Sequence, residues 1–406
     1  MANRFLVPGG NGLANSTTNW SATSGGLSGV SVPGSADDVI FDAGSANVTL
    51  TVSAAQSFKS FMVSNYTGIL TINNVLSIVG TGLLGNITLS SGMTINGSGT
   101  LFRTVTSGNL TSNGVKIGCN IFQTTDIIIL IDNARCINYL ASNSSIINGV
   151  GKKLSIEGDC VLGTGSGRSL TGATYEFIGS NTATFTVSTT QFFTGNLTFN
   201  KTGILNIGSF IINQSNSIKY THIQGIVNHT GTLSFNSIFT NINCIFDTSG
   251  MKWNILKIGI NASSSSSLAI NITLNSTLKA LLFDASLFNK PIIFKGTSGF
   301  DIDTFKLEKA SISYRYAAAF LNLTSGLIYN INILARFKNA SISSSIPGTK
   351  SILRLLPSTS TFFYNNTITD IDASTDKQIR NFYGSITGCS NVISITSNMY
   401  NKSNNF

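Results

Sequence analysis

Three pairs of carboxylates stand two residues apart in the chain: Glu157/Asp159, Asp301/Asp303 and Asp370/Asp372. In an extended strand, residues i and i+2 share one face at about 6.6 Å. That overlaps the lower end of the separation, about 6.5–9.5 Å, that an inverting glycosidase keeps between its acid and its base. Such a pair is therefore spaced to hydrolyse a glycosidic bond. The same spacing arises where Asp caps turns by accepting backbone N–H groups, and each pair lies near Gly, Thr or Ser. A working site also gathers aromatic platforms and Arg or His, and none of the pairs has them nearby in sequence. Asp301/Asp303 and Asp370/Asp372 are the better catalytic candidates.

Other motifs carry less chemistry. Gly80-Thr-Gly82-Leu-Leu-Gly85 has the GxGxxG form, but a dinucleotide site needs a helix to follow, and Asn86-Ile-Thr-Leu-Ser reads as another strand. Walker A, GxSxG and HExxH motifs are absent. His222 and His229 are the only imidazoles, too few for a His-based metal site. The cysteines, Cys119, Cys136, Cys160, Cys244 and Cys389, are odd in number and form no CxxC pair, which fits buried thiols better than a disulfide framework. Trp20 and Trp253 are either sugar-stacking platforms or packing residues at a cap or core edge. Nothing implies a cofactor or a metal.

The elements that must position these residues are short strands. Val48–Val52, Ile69–Ile72, Ile87–Leu89 and Thr184–Val187 alternate apolar with Thr, Ser or Asn and end at Gly, Asn or Ser. A phrase Thr-Gly-x-Leu-x-Ile/Phe-Asn/Gly recurs at 67–73, 194–200 and 202–208, with a variant at 230–236. Its glycine suits a tight corner of positive φ. The irregular interval marks a degenerate coil rather than a strict repeat. The expected fold is all-β, a right-handed single-chain parallel β-helix; tandem antiparallel sandwiches or a jelly roll are the alternative. Only Tyr314–Leu323 reads as a short helix. Residues 1–45, rich in Gly with Pro8 and Pro33, form an N-terminal cap. Residues 46–406 form the body, with a possible seam near 261–268.

Composition narrows the class. Of 406 residues, 42% are apolar and only 10% charged, which excludes both a disordered tail and an ordinary helical enzyme domain. Residues 1–203 hold 9 Lys/Arg against 8 Asp/Glu, and residues 204–406 hold 16 against 8, so the net +9 sits almost wholly in the second half. That balance favours an anionic partner such as an acidic glycan. Nucleic acid is disfavoured because no basic stripe with aromatics is visible. The aliphatic run Ile127–Ile131 is too short to span a membrane, and the opening residues lack a signal-peptide h-region.

Two stretches carry a family resemblance. Asn19-Trp20-Ser-Ala-Thr-Ser-Gly25-Gly26, followed by Val32-Pro33-Gly-Ser-Ala-Asp37-Asp38-Val-Ile-Phe41-Asp42-Ala43, resembles the opening of structural proteins of tailed bacteriophages of the crAss-like type. Thr369-Asp370-Ile-Asp372-Ala-Ser and Tyr383-Gly384-Ser-Ile-Thr-Gly388-Cys389-Ser-Asn391 are similar to their closing coils. The resemblance implies a virion component folded in the host cytoplasm: a head fibre, capsid decoration or tail appendage. It implies other virion proteins as partners, a homo-oligomer, often a trimer, and possible contact with a host-surface glycan. It transfers no catalytic residue. Within the cap, Trp20, Asp37, Asp38 and Phe41 mark the expected attachment region. A tailspike-like polysaccharide depolymerase and a bacterial surface adhesin are the rival expectations.

Overall fold

A computed structural model describes residues 2–45, 47–80, 86–103, 107–123, 127–142, 145–163, 173–188, 195–212, 217–237, 242–260, 269–285, 291–308, 319–338, 340–345, 351–355, 360–369, 371–374 and 382–387. The chain forms two compact units, residues 1–205 and 206–406. Both are β-solenoids wound from short parallel strands, not closed barrels. The sandwich alternative fails on this point: the one antiparallel pair among the described registers joins Asn3–Leu6 to Trp20–Ser21.

The first coils of unit 1 carry three strands each, the third sheet ending among the described residues at Ile146–Asn148. Coil 38–58 shows the plan, with strands Asp38–Phe41, Thr49–Val52 and Gln56–Phe58. Each strand then pairs with its counterpart one coil on. Leu50 lies on Leu70, Leu70 on Ile95, Ile95 on Ile117, and onward through Cys136, Ile156, Phe177 and Phe199. The steps vary from 19 residues (Ile117 to Cys136) to 25 (Leu70 to Ile95). All eight side chains are at most 3% exposed, so the apolar member of every alternation fills one interior column. Full burial of each large member stabilises by about 1.5–3 kcal/mol, and neighbouring coils supply the contacts.

In unit 2 the described strands repeat two to a coil, Ser217–His229 pairing with Ile242–Asp247 and Thr232–Ser237 with Lys252–Ile260. Leu233 lies on Leu256, Leu256 on Phe283, Phe283 on Phe305 and Phe305 on Ala335. Its core is more aromatic: Phe283 stacks on Phe305 at 4.7 Å and Phe305 on Phe337 at 5.5 Å. The expected helix over Tyr314–Leu323 is not one where it is described, because Ala319–Leu323 is a strand paired with Pro291–Ile293 and Ala340–Ser344. Aligned Leu321 and Leu323 are wholly buried, so two-residue periodicity prevails over the helix preference of the alanines. The seam expected near 261–268 lies outside the described residues.

The recurring Thr-Gly phrase has a different cause from the one its sequence suggests. Gly68, Gly203 and Gly231 do not have positive φ. They lie directly against the backbone of the preceding coil, where a Cβ would collide with the carbonyl of Val48, those of Ser180 and Asn181, or the amide of Ser209. Close approach, not unusual torsion, requires glycine at these corners.

Candidate functional site: the carboxylate clusters

Asp301 and Asp303 belong to strand Phe300–Glu308 of unit 2. Ile302 between them is buried, so both carboxylates face outward. The register slips between Ile302 and Thr304, and this irregularity admits Asn332 from the next coil. The Asn332 amide nitrogen donates to Asp301 Oδ1 at 2.8 Å and to Asp303 Oδ1 at 3.0 Å. Two bonds to one nitrogen leave these oxygens at most about 5.8 Å apart, short of the inverting range of about 6.5–9.5 Å. The sequence spacing suggested an inverting pair; the shared amide draws the two groups closer.

The second Asp303 oxygen accepts from Lys252 Nζ at 2.7 Å. Lys252 sits two coils away, below Lys279, which in turn pairs with Asp301. Burial raises the Asp303 carboxyl, but Lys252 and Asn332 outweigh it and hold the group below its ordinary range. Asp303 is thus a carboxylate at neutral pH and cannot act as a resting general acid.

Unit 1 repeats the device at Glu157. Lys116 Nζ, two coils away, reaches Glu157 Oε2 at 2.7 Å, and Arg135 Nε, one coil away, reaches Oε1 at 2.7 Å. Burial again raises the carboxyl and the two cations together bring it down. Asp159 does not share these cations. Its Oδ1 accepts the Thr184 amide at 2.8 Å and hydroxyl at 3.0 Å, while its own amide donates to Asn138 Oδ1 at 2.6 Å. Glu157 and Asp159 are therefore each engaged by a different set of partners. Asp372 lies in strand Ile371–Ser374, aligned with Ile352; Asp370 is outside the described residues.

The tryptophans are core. Trp20 and Trp253 are 0% exposed, so neither offers a face to a sugar. Trp20 donates to the Ala14 carbonyl at 2.8 Å and packs on Phe41 and Phe58. Trp253 donates to Thr248 Oγ1 at 3.3 Å and meets His229 edge-on at 5.0 Å. The other residues of the expected attachment region are also engaged internally. Phe41 is fully buried. Asp37 accepts the Ala2 and Gly34 amides, and Asp38 accepts Lys59 Nζ at 3.0 Å and Ser60 Oγ at 2.6 Å.

Sequence reading missed Lys201, and it named His229 without its buried anchoring role. Lys201 is 2% exposed, and its ammonium donates to the carbonyls of Glu157 and Ile178 and to Asn181 Oδ1, pinning three turns. His229 Nδ1 accepts the Asn254 amide at 3.0 Å, and burial pushes its pKa down to about 4. Both anchor to backbone of other coils, a relation with no local signal. Among the described residues no group of three or more His, Cys, Asp or Glu is placed to hold a metal ion, and no helix is long and apolar enough to cross a membrane.

No protein-family model, curated protein or solved structure matches this chain.

Proposed function

We propose that the protein is a non-enzymatic structural component of a phage virion, a fibre, capsid decoration or tail appendage built as a rigid solenoid. The observation that carries the scaffold reading is the commitment of its outward carboxylates. Asp303 and Glu157 act as staples between coils, tied to lysines two turns away. A general acid needs a proton at working pH, and these groups are held without one. The virion assignment is supported by the resemblance of residues 19–43 and 369–391; a solenoid fold is compatible with it and with much else.

Two measurements separate this reading from its rival, a polysaccharide depolymerase. Incubation with polysaccharides of the host surface, followed by sizing of the products, should give no shortened chains. Turnover that disappears in Asp301→Asn or Asp303→Asn would replace the scaffold with an enzyme. Antibodies to the chain should label intact particles in electron micrographs; unlabelled particles would remove the virion assignment and leave the scaffold reading standing.

A further inference from the structure

The strongest unassigned feature is an uncharged column on one outer face of unit 1. It belongs to the sheet that ends at Ile146–Asn148. The strands Asn3–Leu6, Asp38–Phe41, Ser60–Val63, Ile87–Thr88, Gly108–Thr111 and Ile127–Leu130 stack in parallel there. Phe5, Ile40, Met62, Thr88 and Thr111 hold one register position on successive coils. Ile131 continues the column, because Leu110 lies on Leu130 and its carbonyl accepts the Ile131 amide at 3.1 Å. The alternate residues Val39, Phe61, Ile87, Leu110 and Leu130 are at most 3% exposed, so the column faces out. Met62 is 41% exposed and Ile131 45%, and the other four are half-buried. No member of the column is charged. The carboxylates at its border are engaged within the chain. Asp38 accepts from Lys59 and Ser60, Asp42 from the Gly44 amide, and Asp132 from the Ser112 and Asn113 amides.

We infer that this column joins two copies of the chain, face to face about a two-fold axis perpendicular to the sheet. Two copies of one chain repel wherever they carry net charge. Residues 1–203 hold 9 Lys/Arg against 8 Asp/Glu, and residues 204–406 hold 16 against 8, so like copies can approach through unit 1. The column is also complementary to itself in size. Along the coils it reads Phe5, Ile40, Met62, Thr88, Thr111, Ile131. A two-fold axis through its midpoint lays Met62 on the partner's Thr88 and Ile40 on the partner's Thr111, large side chain against small, each contact made twice. Phe5 then meets the partner's Ile131 at either end. Such facing sheets pack about 10 Å apart with their side chains interleaved. A three-fold assembly with parallel coils instead sets each residue beside its own copy, crowding the methionines and leaving the threonines under-packed. A polyanion gains nothing from a column without a cation. The inference goes beyond the proposed function by naming the partner as a second copy. Its failure would leave the virion reading untouched, because that reading is decided by particle labelling.

The test is sedimentation equilibrium of the full chain over a concentration series. The column is about 24 Å long, five steps of about 4.8 Å, and narrow, so it buries less than the about 800 Å² per partner of a standard interface. The dimer should therefore form and dissociate across the micromolar range. Met62→Asp with Ile131→Asp should raise the dissociation constant at least about tenfold. The melting temperature, measured where both proteins are monomeric, should not move, because both side chains point outward. Cross-linking reads the geometry. In a Cys389→Ser background, Phe5→Cys with Ile131→Cys should give covalent dimers with a short bis-maleimide. Ile131→Cys alone should give none, since its two copies stand about 24 Å apart along the column. A monomer at every concentration, an unchanged dissociation constant in the aspartate variant, or a cross-linked product from Ile131→Cys alone would overturn the inference.

Discussion

At the scale of single residues, Asp303 and Glu157 each tie their own coil to lysines two coils away. Asp303 and Glu157 both titrate below their unfolded values, so their contribution is present above the ordinary carboxylate range and is lost as pH falls through the folded pKa. Because the partner lysines are substantially exposed, each staple contributes about 1 kcal/mol or less. Lys252→Ala should therefore lower the unfolding free energy in urea by that amount. His229 acts in a higher window. Its folded pKa of about 4 lies below the ordinary 6.5, so its contribution is complete above pH 6.5 and is lost as pH falls toward 4. Replacing His229 with Gln should flatten thermal stability between pH 6.5 and 4 and leave the steeper loss at lower pH. The carboxylate pairs were legible in the sequence but their partners were not. Lys252 and Asp303 are 51 residues apart, and only the register of two successive coil steps brings them together.

At the scale of elements, apolar–polar alternation foretold most strands, because one face of each must fill an interior column. Coil length was not legible: corners absorb insertions, so the step between stacked residues drifts and no fixed period survives in the sequence. The corner glycines separate two physical demands. Gly114 has φ +79° with nothing within 4 Å of a built Cβ, so Gly114→Ala should cost only the torsional strain, about 1 kcal/mol. Gly68 has ordinary φ but rests on the Val48 carbonyl, so Gly68→Ala must push two coils apart and should cost several times as much. Denaturant titration of the two variants measures the contrast directly. The Ala319–Leu323 strand teaches the same lesson from the other side: local preference yields when an interior column requires alternate side chains.

At the scale of the molecule, each unit encloses its own continuous core, and the described cysteines lie inside it. Cys119, Cys136, Cys160 and Cys244 are buried free thiols, and burial pushes Cys119 up to about 12 and the others higher still. A thiol reagent at pH 8 should leave these four unmodified in the native protein and label them only after denaturation; mass spectrometry of the labelled peptides checks each one. The Trp20 arm has a consequence for how such a core is made. Trp20–Ser21 pairs antiparallel with Asn3–Leu6, which in turn begins the parallel stack onto Asp38–Phe41. This stretch, made before the coils that follow it, thus offers them a template, a paired edge whose indole later packs under Phe41 and Phe58. Each later coil needs only the one made just before it, some twenty residues earlier. Synthesis can proceed as winding onto a finished end, with the growing edge, rather than a collapsed intermediate, as the exposed surface at each moment.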